Sequence, residues 1–250
     1  MTKVSFTEMV RQKPDPHLNK VELLGYYGSD ETIACSAWTS TSRELTEEKR
    51  NRIGGLINTL WTDGHETPFE KATVHFLVNT DIASHIHLLK HRVSSLNAES
   101  ARYKELKEDK YYLPRDWDNV SNSCDHGRGL PFWGFYEGEQ TWLYWLEEYT
   151  KLGNALYHDC LNDLTPVLGR KRAKESARFF KTYNSQIQAD VSFNMRSFAN
   201  FIKLRRSEHA QVEIRNIADQ MLNLVINIPD NPFRYTIATW LKNEIIKETL

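Results

Sequence analysis

The stretch TVHFLVNTDIASHIHLLKHRV, residues 73–93, changes its hydrophobic period partway along, and that change decides the fold class. Val74, Phe76 and Val78 alternate with His75 and Leu77, the period of a strand with one apolar face and one mixed face. Thr80 or Asp81 can then cap a helix whose apolar stripe is Ile82, Ile86 and Leu89. Upstream, Pro68 breaks the chain and VELLGYY, from Val21, reads as another strand. Thr46 reads as the N-cap of a helix with Ile53, Leu56, Ile57 and Leu60 on one face, and Gly64 as its stop. Gly54 and Gly55 inside that helix each cost about 1 kcal/mol relative to alanine, so they are expected to admit a close neighbour.

Downstream, Trp142, Trp145, Leu146, Tyr149, Leu152 and Leu156 recur at helical spacing, and the basic helix GRKRAKESARFFKTY follows from Gly169. Ile214, Ile217, Ala218, Met221, Leu224, Val225 and Ile228 form a last sustained helical face. Helices dominate, strands are few and no regular βαβ alternation is visible. That pattern predicts an α+β fold over residues 1–250, a single domain of helices packed on a small, mostly antiparallel sheet. Residues 111–140 are rich in Asn, Asp, Gly and Pro and long for a structureless connection, which predicts an insertion or a mobile lid. The PDPH segment, Pro14 to His17, reads as a tail or arm.

Composition narrows the function classes. The formal net charge of the 250 residues is −1, which argues against a nucleic-acid-coating protein and leaves any anion affinity to local clusters. Cys35, Cys124 and Cys160 are odd in number and lie far apart, so a disulfide framework is not expected. MTKVSFTEMVRQK has no apolar signal core, and no apolar run approaches the roughly 18 residues of a membrane span. A cytoplasmic protein with no membrane partner is expected.

Several chemistries fit poorly. His85, His87 and His91 tempt a zinc reading, but Leu88 stands where a zinc protease needs glutamate and no third ligand has diagnostic spacing. No metal is expected there. Cys124-Asp125-His126 is a weak nucleophile signal, because sequence neighbours rarely reach triad geometry. Neither GxGxxG after a strand nor GxxxxGK[ST] is present, so nucleotide binding would fall to side chains.

Such side chains occur in three places. KHRVSSLNAESARY, residues 90–103, offers Lys90, His91, Arg92, Ser100 and Arg102; it is either a solvated loop or a site for an anion. Arg178 is the second. The third is FNMRSFANFIKLRRSEHAQ, residues 193–211, where Arg196, Asn200 and Lys203 form a polar helical face. Arg205 instead falls in line with Phe198, Phe201 and Ile202. A guanidinium on an apolar face is costly unless paired, so Arg205 either snorkels, joins a buried ion pair, or meets a ligand.

The residues 90–103 resemble the signature RHRxxSxNExSxRY of the flavin-dependent thymidylate synthases. GHETPFE (64–70), ARFF around Arg178, NMRSFANF from Asn194 and LRRSEHAQ from Leu204 resemble further segments of that family, in its order and at comparable spacing. The likeness spans Val21 to about Met221. It implies an enzyme that converts dUMP to dTMP, with methylenetetrahydrofolate as carbon donor and NADPH as reductant through bound FAD. It also implies a homotetramer with shared active sites.

Carried over by position, Thr67, Lys90, His91, Arg92, Asn194, Arg196, Asn200 and His209 are expected at FAD. His87, Lys90, Glu99, Ser100, Ala101, Arg102, Arg178 and Arg205 are expected at dUMP, with Arg205 the catalytic residue that activates the uracil. Two positions depart from the signature: Lys90 replaces its first arginine, and Ala98 stands where the family has glutamate, with Glu99 one place later. Two alternatives stand beside this reading. One is a flavoenzyme of the same scaffold acting on another pyrimidine nucleotide or one-carbon unit. The other is a non-catalytic nucleotide- or RNA-binding protein, for which the basic run Arg170 to Lys174 and the abundant aromatics would speak.

Overall fold

The alternation in residues 73–81 forms a strand in the computed structural model, which describes residues 17–42, 44–121 and 141–246. Val74, Phe76 and Val78 are fully buried. The Cys124-Asp125-His126 triplet, most of the expected insertion (122–140) and the arm before His17 lie outside the described residues.

Strands β1 (Lys20–Tyr27), β2 (Thr73–Asp81), β3 (Ser95–Ala98) and β4 (Gln186–Asn194) form one sheet in the order β1-β2-β4-β3. β1 runs antiparallel to β2, with Val21 opposite Val78 and Tyr27 opposite Thr73; β3 runs antiparallel to β4, with Leu96 opposite Val191. The helices are α1 (Asp30–Trp38), α2 (Glu47–Thr62), α3 (Ile82–Leu88), α4 (Trp142–Ala177), α5 (Met195–Arg205), α6 (Val212–Ile226) and α7 (Arg234–Lys242). The fold class is α+β, as expected.

The described residues group into two compact units. One takes in residues 100–186 with His17 and Leu18; the other takes in Asn19–Glu99 and the chain from Ile187 onward. The second unit holds the larger core. Phe198, Phe201 and Ile202 of α5 are buried there with Phe76 of β2 and Phe193 of β4; the Phe76 and Phe198 rings lie 5.6 Å apart, and those of Phe193 and Phe201 5.1 Å apart. Each such burial contributes about 1.5–3 kcal/mol, which fixes the rotation of α5 and with it the direction in which Arg205 points. α6 buries Ile214, Ile217, Ala218, Met221 and Val225, as its period foretold.

Local chemistry sets the ends of the elements. Thr46 caps α2 by accepting the Lys49 N–H, and Gly64 follows that helix at φ +73°, a left-handed conformation that suits glycine. Gly54 does admit a neighbour: a Cβ there would lie 2.8 Å from the Tyr235 ring. Gly55 does not, having nothing within 4 Å. α7 has no side-chain cap of its own. Buried Asp30 serves instead, accepting the Tyr235 N–H (2.6 Å), the Thr236 N–H (3.1 Å) and the Thr236 hydroxyl (2.7 Å).

Two expected apolar stripes lie elsewhere. On α3, Ile86 and Leu89 are exposed, while Ser84 and Leu88 are buried. The cap explains the rotation: buried Asp81 is held by the Asn19 amide at 2.6 Å and accepts the Ser84 N–H at 2.8 Å, which turns Ser84 and Leu88 inward. On α4, Trp145 is buried as expected, but Trp142, Tyr149, Leu152 and Leu156 are exposed. The face that the first unit covers carries Thr150, Gly153, Asn154, Tyr157 and Leu161. Its polar members bond to chain segments laid over it, so burial there follows hydrogen bonding rather than hydropathy. α4 is broken at Gly169 (φ +77°, ψ 150°), where the basic helix begins as its sequence indicated. Four residues of the 90–103 stretch form β3, an edge strand that neither reading of that stretch anticipated.

Candidate functional site

Helix α5 carries much of the candidate site. Its sequence starts with a cap: the Asn194 side chain accepts the Ser197 N–H at 2.8 Å. It ends eleven residues later at Arg205, so the two lie about 16 Å apart along the axis. Because Phe198, Phe201 and Ile202 face the core, Arg205 emerges half-buried at its edge.

The partners of Arg205 are two imidazoles. Its Nε donates to His91 Nε2 at 2.8 Å, and its Nη1 lies 3.4 Å from His87 Nδ1. Among the described residues no carboxylate pairs with it. His91 stands edge-on to Phe201, with ring centroids 4.9 Å apart. Burial lowers the His91 pKa to about 4, with further contributions from the Arg205 and His87 charges. His91 is therefore neutral near pH 7, with its proton on Nδ1 and its Nε2 lone pair toward the guanidinium. The pair of histidines orients a cation without neutralising it. Among the described residues no group of three or more His, Cys, Asp or Glu is arranged to hold a metal ion. His87 Nδ1 and His91 Nε2 are both taken up by the Arg205 guanidinium.

A second cluster forms at the start of α5. Arg196 Nε donates to Glu66 at 2.9 Å, and Nη1 to Glu70 at 2.7 Å. The Met195 N–H donates to the Ala72 carbonyl at 2.9 Å. The GHETPFE segment is thereby tied to the head of α5, and Thr67, exposed at the start of a short 3-10 turn, lies in sequence between the two glutamates that bond Arg196. Asn200, His209, Lys90 and Arg92 are exposed. A cleft of about 460 Å³ opens beside the end of α5, lined by Lys203, Arg206, Ser207 and His209 among others.

Glu99 takes a position its sequence did not disclose. Its N–H donates to the Gln188 carbonyl (2.9 Å) and its carboxylate accepts the Gln188 N–H (3.0 Å), continuing the β3–β4 ladder beyond Ala98. The carboxylate is thus committed to the backbone of β4.

Ser100, Ala101, Arg102 and Arg178 belong to the first unit. The Ser100 hydroxyl accepts the Arg102 N–H at 3.3 Å, and Arg102 Nε donates to Glu175 at 2.9 Å. Arg178 is exposed one turn past Glu175, at the head of a 3-10 turn, Arg178–Phe180. Glu175 is thus shared by two guanidiniums, Arg102 at 2.9 Å and Arg172 at 3.6 Å, which leaves net positive charge on this stretch, suited to a phosphate. Glu66, Glu70 and Glu175 were not singled out from the sequence. Their signal is spacing: Glu66 and Glu70 flank Thr67, and Glu175 follows Arg172 by three residues, the pair it makes at 3.6 Å.

A family model described as thymidylate synthase complementing protein matches residues 22–229. The flavin-dependent thymidylate synthase of Clostridium tetani is 28% identical over 228 residues, 87% of this chain and 86% of the relative. That of Pseudothermotoga lettingae is 32% identical over 201 residues, 79% and 80% of the two chains. Among solved structures, the UMP/dUMP methylase PolB from Streptomyces cacaoi, bound with 5-Br dUMP, superposes with a TM-score of 0.70 at 24% identity. The match covers 91% of this chain and 96% of PolB, and it shows a shared fold.

Proposed function

The chain belongs to the thymidylate synthase complementing protein family, and from that premise we propose that it methylates dUMP to dTMP as a flavin-dependent thymidylate synthase. The observation that carries the reading is Arg205, a half-buried cation oriented by the imidazoles of His87 and His91 and opposed by no carboxylate among the described residues. A cation left uncompensated in this way is stabilised by an electron-rich ligand.

The residues fit a flavin and a nucleotide in charge and in donor type. Thr67, Lys90, His91, Arg92, Asn194, Arg196, Asn200 and His209 would hold FAD, which supplies the redox chemistry between NADPH and the one-carbon unit of methylenetetrahydrofolate. Ser100, Arg102 and Arg178 would hold the phosphate of dUMP, with Lys90, Glu99 and Ala101 nearby. Arg205, steadied by His87 and His91, would face the pyrimidine. C5 of uracil becomes nucleophilic as negative charge develops on the ring oxygens and N3, and a desolvated guanidinium stabilises that charge. Preorganised electrostatics of this kind contribute several kcal/mol, roughly 3–4 for a single donor. Ser100 acts as a phosphate ligand, and no protein nucleophile is needed.

The enzyme works in the cytoplasm as a homotetramer with active sites shared between subunits. Among the described residues no helix is long and apolar enough to cross a membrane. The exposed Tyr149, Leu152 and Leu156 of α4 supply an apolar face that association would cover. Purified protein supplied with FAD, NADPH, dUMP and methylenetetrahydrofolate labelled in its one-carbon unit should yield labelled dTMP. Label on a different nucleotide, or none transferred, would defeat the proposal.

A further inference from the structure

Within the first unit the segment after Arg102 runs back along α4, fastened at almost every turn. Arg102 pairs with Glu175, Lys174 Nζ donates to the Tyr103 carbonyl at 2.7 Å, and Arg170 pairs with Glu105. The Leu106 N–H donates to the buried Tyr157 hydroxyl at 3.1 Å. The segment reaches Asp109, whose φ of +47° is unusual for a residue with a side chain.

At Asp109 this arm meets a second one. Lys181 Nζ lies 2.7 Å from Asp109 Oδ1, 2.8 Å from Asn154 Oδ1 and 4.4 Å from the Tyr157 ring centroid. His158 Nε2 lies 2.9 Å from the other Asp109 oxygen. The Lys181 side chain is only 4% exposed. Its N–H donates to the Arg178 carbonyl at 3.1 Å, closing the turn that bears Arg178. The same turn sits hard against α4, since a Cβ on Gly153 would lie 2.6 Å from the Phe180 carbonyl oxygen. Burial pushes the Lys181 pKa down and the Asp109 contact opposes it.

An ammonium–carboxylate pair with its ammonium buried is a poor source of net stability, because desolvation offsets attraction and an apolar pair would hold a loop as well. What it supplies is direction. We infer that Lys181, seated on Asp109 and Asn154, is a positioning residue for the nucleotide phosphate. It holds the turn that presents Arg178 and, through Asp109, the arm that presents Ser100 and Arg102. This rests on the phosphate role proposed above for those three residues.

The test is a double-mutant cycle on the holoenzyme, with the dUMP dissociation constant and kcat measured for wild type, Lys181→Met, Arg178→Ala and the double variant. Lys181→Met should raise the dissociation constant about tenfold or more, while bound flavin is retained and kcat at saturating dUMP stays within roughly threefold. In the Arg178→Ala background the same change should add clearly less than it does alone, because only the arm that presents Ser100 and Arg102 is then left to position. A merely structural role would multiply fully onto Arg178→Ala or lower bound flavin and kcat together, and either result overturns the inference. If Arg178→Ala raises the constant and Lys181→Met does not, positioning fails while the phosphate reading survives. If Arg178→Ala changes nothing, the phosphate reading itself fails and takes the inference with it. Should Lys181→Met not fold, Asp109→Asn carries the same cycle with the same expectations.

Discussion

Arg102, Arg196 and Arg206 each face a carboxylate, whereas Arg205 faces two imidazoles. That difference in partners, more than the presence of an arginine, marks it as the residue whose charge is kept for a ligand. Its place was legible because the helical period set it in line with Phe198, Phe201 and Ile202. Its histidine partners were not, since the turn after α3 that carries His91 is closed by local backbone bonds, His91 N–H to the Leu88 carbonyl among them, and such bonds do not disclose which distant residue the ring meets. The pairing has a consequence for stability. A histidine titrates near 6.5 in the unfolded chain, while folded His91 titrates near about 4. Between those values the unfolded state binds a proton that the folded state refuses, so stability falls as pH drops through this window and levels off below it. His85, whose pKa burial also lowers, acts in the same direction. Denaturant midpoints at pH 7 and pH 4.5 should therefore converge in His91→Gln relative to wild type. An unchanged pH dependence would mean that His91 is not held neutral.

At the scale of elements, glycine substitutions separate contact from propensity. Gly55→Ala should stabilise α2 by up to about 1 kcal/mol, because nothing lies within 4 Å and alanine favours helix. Gly54→Ala should instead cost about 1–3 kcal/mol by driving into the Tyr235 ring, unless that ring swings away. Thermal unfolding of the two variants decides it; equal shifts would contradict the packing of α7 on α2. β2, α2 and α6 were readable because each buries one regular apolar face against its own unit. α1 and α7 were not singled out, since neither presents a long repeat and α7 takes its cap from Asp30, far away in sequence. α4 misled for a different reason. Periodicity finds an apolar face but does not say what covers it, and in α4 the unit covers Thr150, Gly153 and Asn154 and leaves Tyr149, Leu152 and Leu156 exposed.

For the whole molecule, that exposed face is the one the proposed tetramer would cover. Leu152→Glu combined with Leu156→Glu should leave helix content unchanged and shift sedimentation toward smaller species. Intact tetramers in the double variant would place the association elsewhere. The central claim, though, concerns chemistry: a guanidinium kept unpaired by its neighbours activates the pyrimidine for methylation. It is tested most directly by comparing labelled dTMP formed by wild type and by Arg205→Ala, both loaded with flavin and saturated with dUMP, NADPH and labelled methylenetetrahydrofolate. The account predicts that Arg205→Ala stays folded, retains its flavin and loses about two to three orders of magnitude in turnover. Turnover by that variant at the wild-type rate would contradict it.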